Sequence, residues 1–193
     1  DPEAKKVLDA VSAKFKTFKA VQALFSFKNE DAKGKVLGIK KGIVYTKGTK
    51  YRVTITGAQD IFCDGVNIWT YDKSVNEVTI SKYDPSQSSI TPQKIFTNFY
   101  DKDFLYKLNG DKKEAGKTLQ EIELTPFDKT KSFFKVIVWV DKAAKTIYSM
   151  KVLEKSGNKY TYTVSSLNGK AAIADAQFAF DKAKYQGVEV VDL

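Results

Sequence analysis

Very few side chains in this sequence could take part in catalysis. The 193 residues contain no histidine, which removes the most common general base and every nucleophile that depends on one. Two carboxylate pairs, Asp101/Asp103 and Glu121/Glu123, have spacings that could support acid–base chemistry. The first pair is in a lysine-flanked turn and the second is on one side of a predicted strand, so solvated surface carboxylates are the simpler interpretation. We expect no catalytic residues and no enzyme.

Metal and nucleotide sites have no better support. Cys63 is the only cysteine, so the chain has no internal disulfide and no thiolate cluster, and its apolar neighbours predict a buried thiol. Asp101-Lys102-Asp103 lacks the other ligands of a calcium loop. The glycines lie within predicted strands and turns, whereas a phosphate-binding loop needs glycines immediately before a helix. The sequence predicts no metal and no cofactor.

The net charge of +9 allows more than one interpretation. A basic protein could bind nucleic acid or an anionic membrane, or the charge could serve solubility alone. Arg52 is the only arginine, whereas base and phosphate recognition favours the planar arginine fork. Lysines such as Lys28, Lys82, Lys102, Lys142 and Lys155 sit singly, at turns and on alternate strand positions. A solvated lysine-rich exterior is the simpler interpretation, so we expect no nucleic acid partner, and a polyanion-binding module is the alternative.

Two or three helices and a long series of strands must position these residues. Residues 2–20 have apolar residues at three- and four-residue spacing, which predicts an amphipathic helix. From residue 21 the apolar period changes to two, which predicts strands. Thr91-Pro92 predicts the start of a second, short helix that ends at Tyr100. The predicted strands are 21–28, 36–46, 50–56, 59–63, 66–72, 76–82, 104–109, 118–125, 133–140, 146–155, 158–167 and 188–191, with hairpin turns that include Asp64-Gly65 and Asn109-Gly110.

These elements predict an α+β, mainly β fold, with residues 1–193 in a single domain. So many strands in one antiparallel sheet must curl into a barrel, split into two sheets or wrap around something. The aromatic residues, 13% of the chain, recur largely on one side of each strand. They could pack as a core beneath the helices or line an apolar ligand cavity. The pattern alone leaves both interpretations open.

Several segments, taken in order, match the pattern of a known family: the N-terminal helix, 42–47, 63–72, Thr91-Pro92 with Ile95-Phe96, 123–126 and 178–192. Their order and spacing resemble the LolA family, periplasmic carriers that ferry lipoproteins to the outer membrane of Gram-negative bacteria. The resemblance spans nearly the whole chain, and the lysine-rich style is similar to a Bacteroidetes-like branch. In one departure, Lys47-Gly48-Thr49 stands where the family usually has a basic residue followed by Arg-Pro, so the arginine associated with holding the lid shut is missing.

The resemblance implies an incomplete antiparallel β-barrel of about eleven strands, with a helical lid over an apolar cavity. It implies a monomeric periplasmic chaperone that takes acylated lipoproteins from an inner-membrane lipoprotein-releasing ABC transporter and delivers them to an outer-membrane acceptor. A carrier of another lipid or amphiphile on the same fold is the alternative. We expect the following residues to line the cavity: Phe25, Phe27, Tyr45, Tyr51, Val53, Trp69, Tyr71, Val78, Ile80, Ile95, Phe96, Phe99, Val136, Val138, Tyr160 and Tyr162.

Overall fold

The structure, a computed structural model, describes residues 1–84 and 100–193. Most of these residues lie in strands. The helices are α1 (Pro2–Lys16) and α2 (Tyr100–Asp103), and two 3-10 turns cover Asp175–Phe178 and Lys182–Lys184. The strands are β1 (Val21–Glu30), β2 (Val36–Lys47), β3 (Lys50–Ile55), β4 (Gln59–Cys63), β5 (Asn67–Asp72), β6 (Glu77–Lys82), β7 (Phe104–Glu114), β8 (Lys117–Pro126), β9 (Phe133–Asp141), β10 (Thr146–Glu154), β11 (Lys159–Asn168) and β12 (Glu189–Asp192).

The twelve strands described are hydrogen-bonded in one open order, β12-β6-β5-β4-β3-β2-β1-β11-β10-β9-β8-β7. The successive pairs from β2 to β6 and from β7 to β11 are antiparallel, whereas β12 runs parallel to β6. Because β12 and β7 end the order without pairing with each other, the sheet does not close. The prediction of an incomplete, mainly antiparallel barrel with a helix is therefore confirmed, with twelve strands in place of about eleven.

Contacts group the chain into two compact units, each assembled from three segments. Unit 1 consists of Asp1–Phe18, Phe25–Lys40 and Lys94–Ser165. Unit 2 consists of Lys19–Leu24, Lys41–Gln93 and Ser166–Leu193. Strands β1, β2 and β11 contribute residues to both units. The single domain expected from the sequence stays a prediction.

Helix α1 of unit 1 begins at a capping side chain and ends before a residue that lies in an extended bridge. The Asp1 carboxylate accepts hydrogen bonds from the Glu3 and Ala4 amides, at 2.9 and 3.3 Å, and proline occupies the first turn. The helix ends at Lys16, four residues before the predicted end. The reason is that Ala20 already lies in an extended bridge with Lys170, and an extended residue cannot continue the helical ladder.

The apolar stripe of α1 packs on one face of the unit 1 sheet, here called the helix face. Strand register places Val136, Val138 and Met150 on this face together with Ile122. The buried core of unit 1 comprises Ala4, Leu8, Val11, Tyr100, Phe104, Ile122, Leu124, Val136, Val138, Val140, Ile147 and Met150. The opposite face, which we call the lysine face, carries the alternate residues Trp139, Ser149, Lys151, Thr161 and Thr163.

The turn predicted at Asn109-Gly110 is wrong. These residues lie inside β7, where the register against β8 shifts between Leu108 and Gly110, which is a β-bulge. The hairpin turns instead at Ala115 and Gly116, whose φ angles of 50° and 74° are both positive. A two-residue turn with positive φ angles matches the twist of the flanking strands. The bulge accommodates Gly110, whose φ of 130° few other residues could adopt.

The strands of unit 2 form two faces of different composition. Tyr45, Arg52, Phe62, Trp69 and Ile80 lie opposite one another across β2 to β6, so they share one face. The C-terminal residues 171–185, here called the tail, pack on it, and we therefore call it the tail face. The other face, the thiol face, carries Val44, Thr46, Tyr51, Val53, Ile61, Cys63 and Ile68.

Candidate functional site

Three aromatic side chains form a partly open cluster in unit 1, here called the aromatic triad. The ring of Phe27 stacks on Tyr160, with centroids 5.7 Å apart and planes 13° apart, and lies 5.0 Å from the ring of Tyr162. Phe27 and Tyr160 are half-buried, while Tyr162 keeps 36% of its surface exposed. Aromatic rings held in this way present a rigid apolar surface to a ligand.

The triad continues the apolar helix face. Tyr160 lies opposite Val152, and Tyr162 lies opposite Met150 on β10, so both tyrosines point to the side on which α1 packs. Phe25 is two residues before Phe27 on β1 and is half-buried. The face therefore changes from a closed core at Met150 to an open aromatic surface at Tyr162, within one sheet.

The predicted lining residues Val136 and Val138 are closed off from solvent. Val136 is 1% exposed and Val138 is 0% exposed, because the α1 side chains Leu8 and Val11 belong to the same cluster. The face assignment of these valines agrees with the sequence-based expectation. In this structure they form the packed base of the helix face, and a ligand would reach them only if α1 moved.

Five predicted lining residues of unit 2 lie on the tail face. They are Tyr45, Trp69, Tyr71, Val78 and Ile80. The tail covers much of this surface: the Phe180 ring lies 6.0 Å from the Tyr71 ring, and the Tyr185 ring lies 4.5 Å from it. Tyr45 packs against a buried cluster that includes Ile173 and Phe178 of the tail. The aromatic surface that the sequence pattern indicates here is occupied by the protein's own tail.

Tyr51 and Val53 do not share a face with these five residues. Tyr51 lies opposite Thr46 and Cys63, whereas Tyr45 lies opposite Arg52, one position along the strand. Because side chains alternate across a strand, the one-residue offset places Tyr51 and Val53 on the thiol face. The expectation of a single wall formed by Tyr45, Tyr51 and Val53 is wrong. The remaining predicted residues, Ile95, Phe96 and Phe99, lie outside the described residues.

The pattern analysis missed the aromatic residues that cover the tail face. Phe180 makes an edge contact with Phe62, with centroids 5.7 Å apart, and stacks on Tyr185 at 4.4 Å. Phe178 is 0% exposed. Phe178 and Phe180 are two residues apart, as in a strand. The tail is neither a long strand nor a helix, however, so its apolar pattern is too short to predict that these rings are buried.

Lys47, in the segment that departs from the usual Arg-Pro pattern, anchors the tail. Its ammonium group donates to the Ile173 carbonyl at 3.1 Å and to the Asp175 carboxylate at 2.9 Å. Lys50 lies 3.2 Å from the other Asp175 oxygen. Hydrogen bonds from Lys47 and then Lys50 hold the pKa of Asp175 below its usual value. Lys47 and Lys50 thus bind the tail.

Three titratable side chains on these faces have a raised pKa, which keeps them neutral. Burial, and next the neighbouring Tyr160, raise the pKa of Tyr162. Burial likewise raises the pKa of Tyr51 and of the Cys63 thiol. A thiol with a raised pKa and 0% exposure is a poor nucleophile. Neutral aromatic surfaces with hydroxyl groups can bind an apolar chain, but they offer no reactive group.

The lysine face of unit 1 carries a polar groove of about 340 Å³. Lysine, hydroxyl and tryptophan side chains border it, so it differs from the apolar helix face in kind. Lys112 Nζ lies 4.5 Å from the Trp139 ring centroid. The residues that line the groove are Ser26, Lys28, Ile39, Lys112, Glu114, Trp139, Tyr148, Ser149, Lys151, Thr161 and Thr163.

Neither a metal site nor a membrane-spanning helix is found in the described parts of the chain. Residues 1–84 and 100–193 contain no group of three or more Cys, Asp or Glu side chains arranged to hold a metal ion. Within the same ranges, no helix has the length and apolar content needed to cross a membrane. Catalytic roles for Glu121 and Glu123 find no support either. Glu121 accepts a hydrogen bond from Trp139 Nε1 at 2.9 Å, and Glu123 pairs with Lys135 at 3.0 Å.

Solved structures share this fold at low sequence identity. A conserved protein from Thermus thermophilus, described as uncharacterized, superposes with a TM-score of 0.67 at 14% identity, covering 99% of both chains. The lipoprotein LppX of Mycobacterium tuberculosis superposes with a TM-score of 0.56 at 15% identity, covering 90% of this chain and all of that one. These similarities establish the fold and nothing finer.

Sequence comparison gives the family. A protein from Cupriavidus necator named outer-membrane lipoprotein carrier protein is 27% identical over 161 residues, which is 81% of this chain and 74% of that protein. A protein of the same name from Cupriavidus taiwanensis matches equally. The model of the family described as outer membrane lipoprotein carrier protein LolA matches residues 16–181. The chain therefore belongs to the LolA family, whose members are carriers and not enzymes.

Proposed function

We propose that this protein is a periplasmic chaperone that binds the acyl chains of lipoproteins and moves them between membranes. Membership in the LolA family and the carrier names of the Cupriavidus proteins support this role. In the proposed cycle, an inner-membrane lipoprotein-releasing ABC transporter loads the protein, which then delivers its cargo as a monomer to an outer-membrane acceptor.

The aromatic triad is the observation that carries the proposal at the level of residues. Phe27, Tyr160 and Tyr162 form a preassembled apolar surface that is only partly covered. An acyl chain lying along it would contact ring faces, while the tyrosine hydroxyls remain hydrated. We propose that the acyl-binding surface comprises the triad and Phe25, with Val136 and Val138 at its base.

The energy of transfer explains why such a surface is required. Exposing one 16-carbon chain to water costs on the order of 12 kcal/mol, at about 0.8 kcal/mol per methylene. A lipoprotein with two or three such chains is insoluble unless they are shielded. The carrier must recover much of this cost and still bind its cargo less tightly than the acceptor does. A partly open surface meets both requirements better than a closed core.

Native mass spectrometry of the protein coexpressed with an acylated lipoprotein tests the proposal. The wild-type protein should be recovered with acylated lipoprotein bound, at a mass of one carrier and one cargo. Phe27→Asp should abolish recovery of cargo, because it places a charge within the triad. Val75→Asp is the matched control, since Val75 is 64% exposed in a turn of unit 2 and should carry cargo normally.

Three outcomes would count against the proposal. A protein that carries neither lipoprotein nor lipid and fails to bind an apolar fluorescent probe would not be a carrier. Recovery of free lipid without lipoprotein would identify a carrier of another amphiphile. Salt-sensitive binding of DNA or heparin without lipid uptake would favour the polyanion-binding module.

A further inference from the structure

Residues 36–40, here called the open edge, form part of β2 with no strand on one side in the part of the chain that is described. The pairing of β2 with β3 begins at Gly42, opposite Ile55, and the Thr56 amide donates to the Lys41 carbonyl just before it. On its other side β2 neighbours β1. The open edge therefore presents backbone donors and acceptors on the side where β3 has ended.

Three side chains of the open edge are apolar and exposed. Val36 is 46% exposed, Leu37 is 54% exposed and Ile39 is 63% exposed. At Gly38 no atom lies within 4 Å of the position that a Cβ atom would take, so the space around the backbone is open. Three large apolar side chains in four residues, on a strand with a free edge, form a template for another strand.

The edge of β7, at one end of the sheet, is protected in ways that the open edge is not. The Leu108 amide on β7 donates to the Asp1 carboxylate at 2.8 Å, which occupies a backbone donor. The bulge between Leu108 and Gly110 then disrupts the regular ladder. Protection of this kind is how sheets avoid unwanted strand pairing. In the described part of the chain no side chain caps the backbone of residues 36–40 in this way, so their backbone groups are available to a strand partner.

The charge around the open edge indicates the chemistry of that partner. Lys33, Lys35, Lys40 and Lys41 are exposed at or beside it. Only two carboxylates, Asp31 and Glu30, lie beside these lysines in the sequence, so positive groups outnumber negative ones here. The Asp31 carboxylate accepts from the Lys33 and Lys35 amides, both at 2.9 Å, and Glu30 lies 3.4 Å from Lys28. The surface is therefore positive, so an acidic segment is attracted to it, whereas a second copy with a net charge of +9 is repelled.

We propose that the open edge binds an extended, acidic segment of another protein by adding it as a strand. Backbone hydrogen bonds would supply affinity, Leu37 and Ile39 would contact apolar side chains of the segment, and the flanking lysines would select its carboxylates. This docking surface does not depend on the acyl-binding surface and can be tested without lipid.

A labelled peptide of about six residues with alternating glutamate and valine is a direct probe, since that is the usual length of a strand. Fluorescence anisotropy should show binding that weakens as salt is added. The variants Leu37→Lys and Ile39→Lys should weaken binding by at least about tenfold. Leu105→Lys is the matched control, because Leu105 is 59% exposed on the protected β7 strand of the same unit. It should bind the peptide as the wild type does.

A peptide in which lysine replaces glutamate should not bind, because the surface is positive. The proposal is overturned if the glutamate peptide does not bind, if Leu105→Lys loses as much affinity as Ile39→Lys, or if the lysine peptide binds equally well. It is also overturned if light scattering shows a dimer of the wild type that Ile39→Lys abolishes, since the occupant would then be a second copy. Circular dichroism spectra of all three variants should match the wild type.

Discussion

The two compact units cover their sheets in different ways. In unit 1 an amphipathic helix packs on a largely aliphatic face, and its core includes Leu8, Ile122 and Val138. In unit 2 an irregular tail packs on an aromatic face through Phe178, Phe180 and Tyr185. A helix buries a continuous stripe and satisfies its own backbone, whereas an irregular segment must be fixed by individual rings and ion pairs. The cover of unit 2 is therefore held by individual aromatic rings and ion pairs, whereas the cover of unit 1 is held by a continuous apolar stripe.

The largest effect is expected when the most buried ring of the tail is removed. Phe178→Ala should lower the free energy of unfolding by about 3–5 kcal/mol, since the side chain is fully buried and leaves a cavity. Urea denaturation measures the change. Phe127→Ala is the control, because Phe127 is 54% exposed and should change stability far less. Equal losses for the two variants would show that the tail is not a stabilising cover.

Removing a core residue of α1 tests the corresponding cover of unit 1. Leu8→Ala should cost about 3 kcal/mol, since Leu8 is 2% exposed and lies in the aliphatic core. The exposed Lys16→Ala in the same helix serves as the control. The buried thiol of Cys63, in unit 2, reports where each substitution acts.

The rate at which a thiol reagent labels Cys63 follows the population of opened molecules. If residues 1–193 form one cooperative domain, as the sequence predicts, Leu8→Ala should accelerate labelling of Cys63. The increase in rate should match the increase in unfolded population calculated from the lower free energy of unfolding. Acceleration by Phe178→Ala alone would contradict a single domain and would make the two units independent.

The pH dependence of stability should depend more on Asp141, a buried carboxylate of unit 1, than on Asp175, an exposed carboxylate of unit 2. The Asp141 carboxylate of unit 1 is 5% exposed and accepts from Lys117 Nζ at 2.6 Å and from the Ala144 amide at 3.0 Å. The bond from Lys117 is the main reason that the pKa of Asp141 lies below its usual value. Asp141→Asn should cost about 1–3 kcal/mol at neutral pH, because a charged hydrogen bond in a buried site is lost.

The sign of the pH dependence follows from that lowered pKa. The stabilising contribution of Asp141 is present above the pKa of the unfolded carboxyl, about 3.9, and disappears as the pH falls through the lower folded pKa. Urea denaturation between pH 7 and pH 3 should therefore show a smaller acid-induced loss of stability for Asp141→Asn than for the wild type. Asp175→Asn, at the exposed anchor of the tail, should change the profile less because solvent screens its ion pairs. An identical profile for Asp141→Asn and the wild type would contradict this account.

The smallest effect concerns backbone strain in the longest hairpin of unit 1. Ala115 has a φ of 50°, which a residue with a Cβ atom adopts only with strain. Ala115→Gly should stabilise the protein by about 0.5–1 kcal/mol, measured by thermal denaturation. Ala13→Gly, in the exposed part of α1, is the opposite control and should destabilise by about 1 kcal/mol. Loss of stability in Ala115→Gly would show that the turn is not strained.

Much of the architecture could be predicted from local patterns. The three- and four-residue period predicts α1, and Asp64-Gly65 predicts a hairpin that the structure contains between β4 and β5. These signals are local, because they depend on residues close in the chain. The turn at Ala115-Gly116 escaped prediction because Asn109-Gly110 carried the stronger turn signal, and only the register with β8 shows that it is a bulge.

The candidate site shows the limit of the same reasoning. Period-two alternation correctly places Phe27, Tyr160 and Tyr162 together, since all three face one side of their strands. The alternation does not establish how β2 aligns with β3. The prediction that Tyr51 shares a face with Tyr45 was therefore wrong. A one-residue difference in register moves a side chain to the opposite face, and no pattern within a single strand reports that difference.

By itself, the sequence determined the fold class and the lack of histidine-based chemistry through its periodicity and composition, and it indicated the family through the order and spacing of its matching segments. Tertiary structure decided which aromatic faces are available. The tail covers Tyr71, α1 covers Val138, and Tyr162 stays partly open. It also decided that residues 36–40 extend beyond β3, with no strand on that side among residues 1–84 and 100–193. Coverage and pairing depend on segments distant in the chain, and their contacts exist only after the sheet has formed.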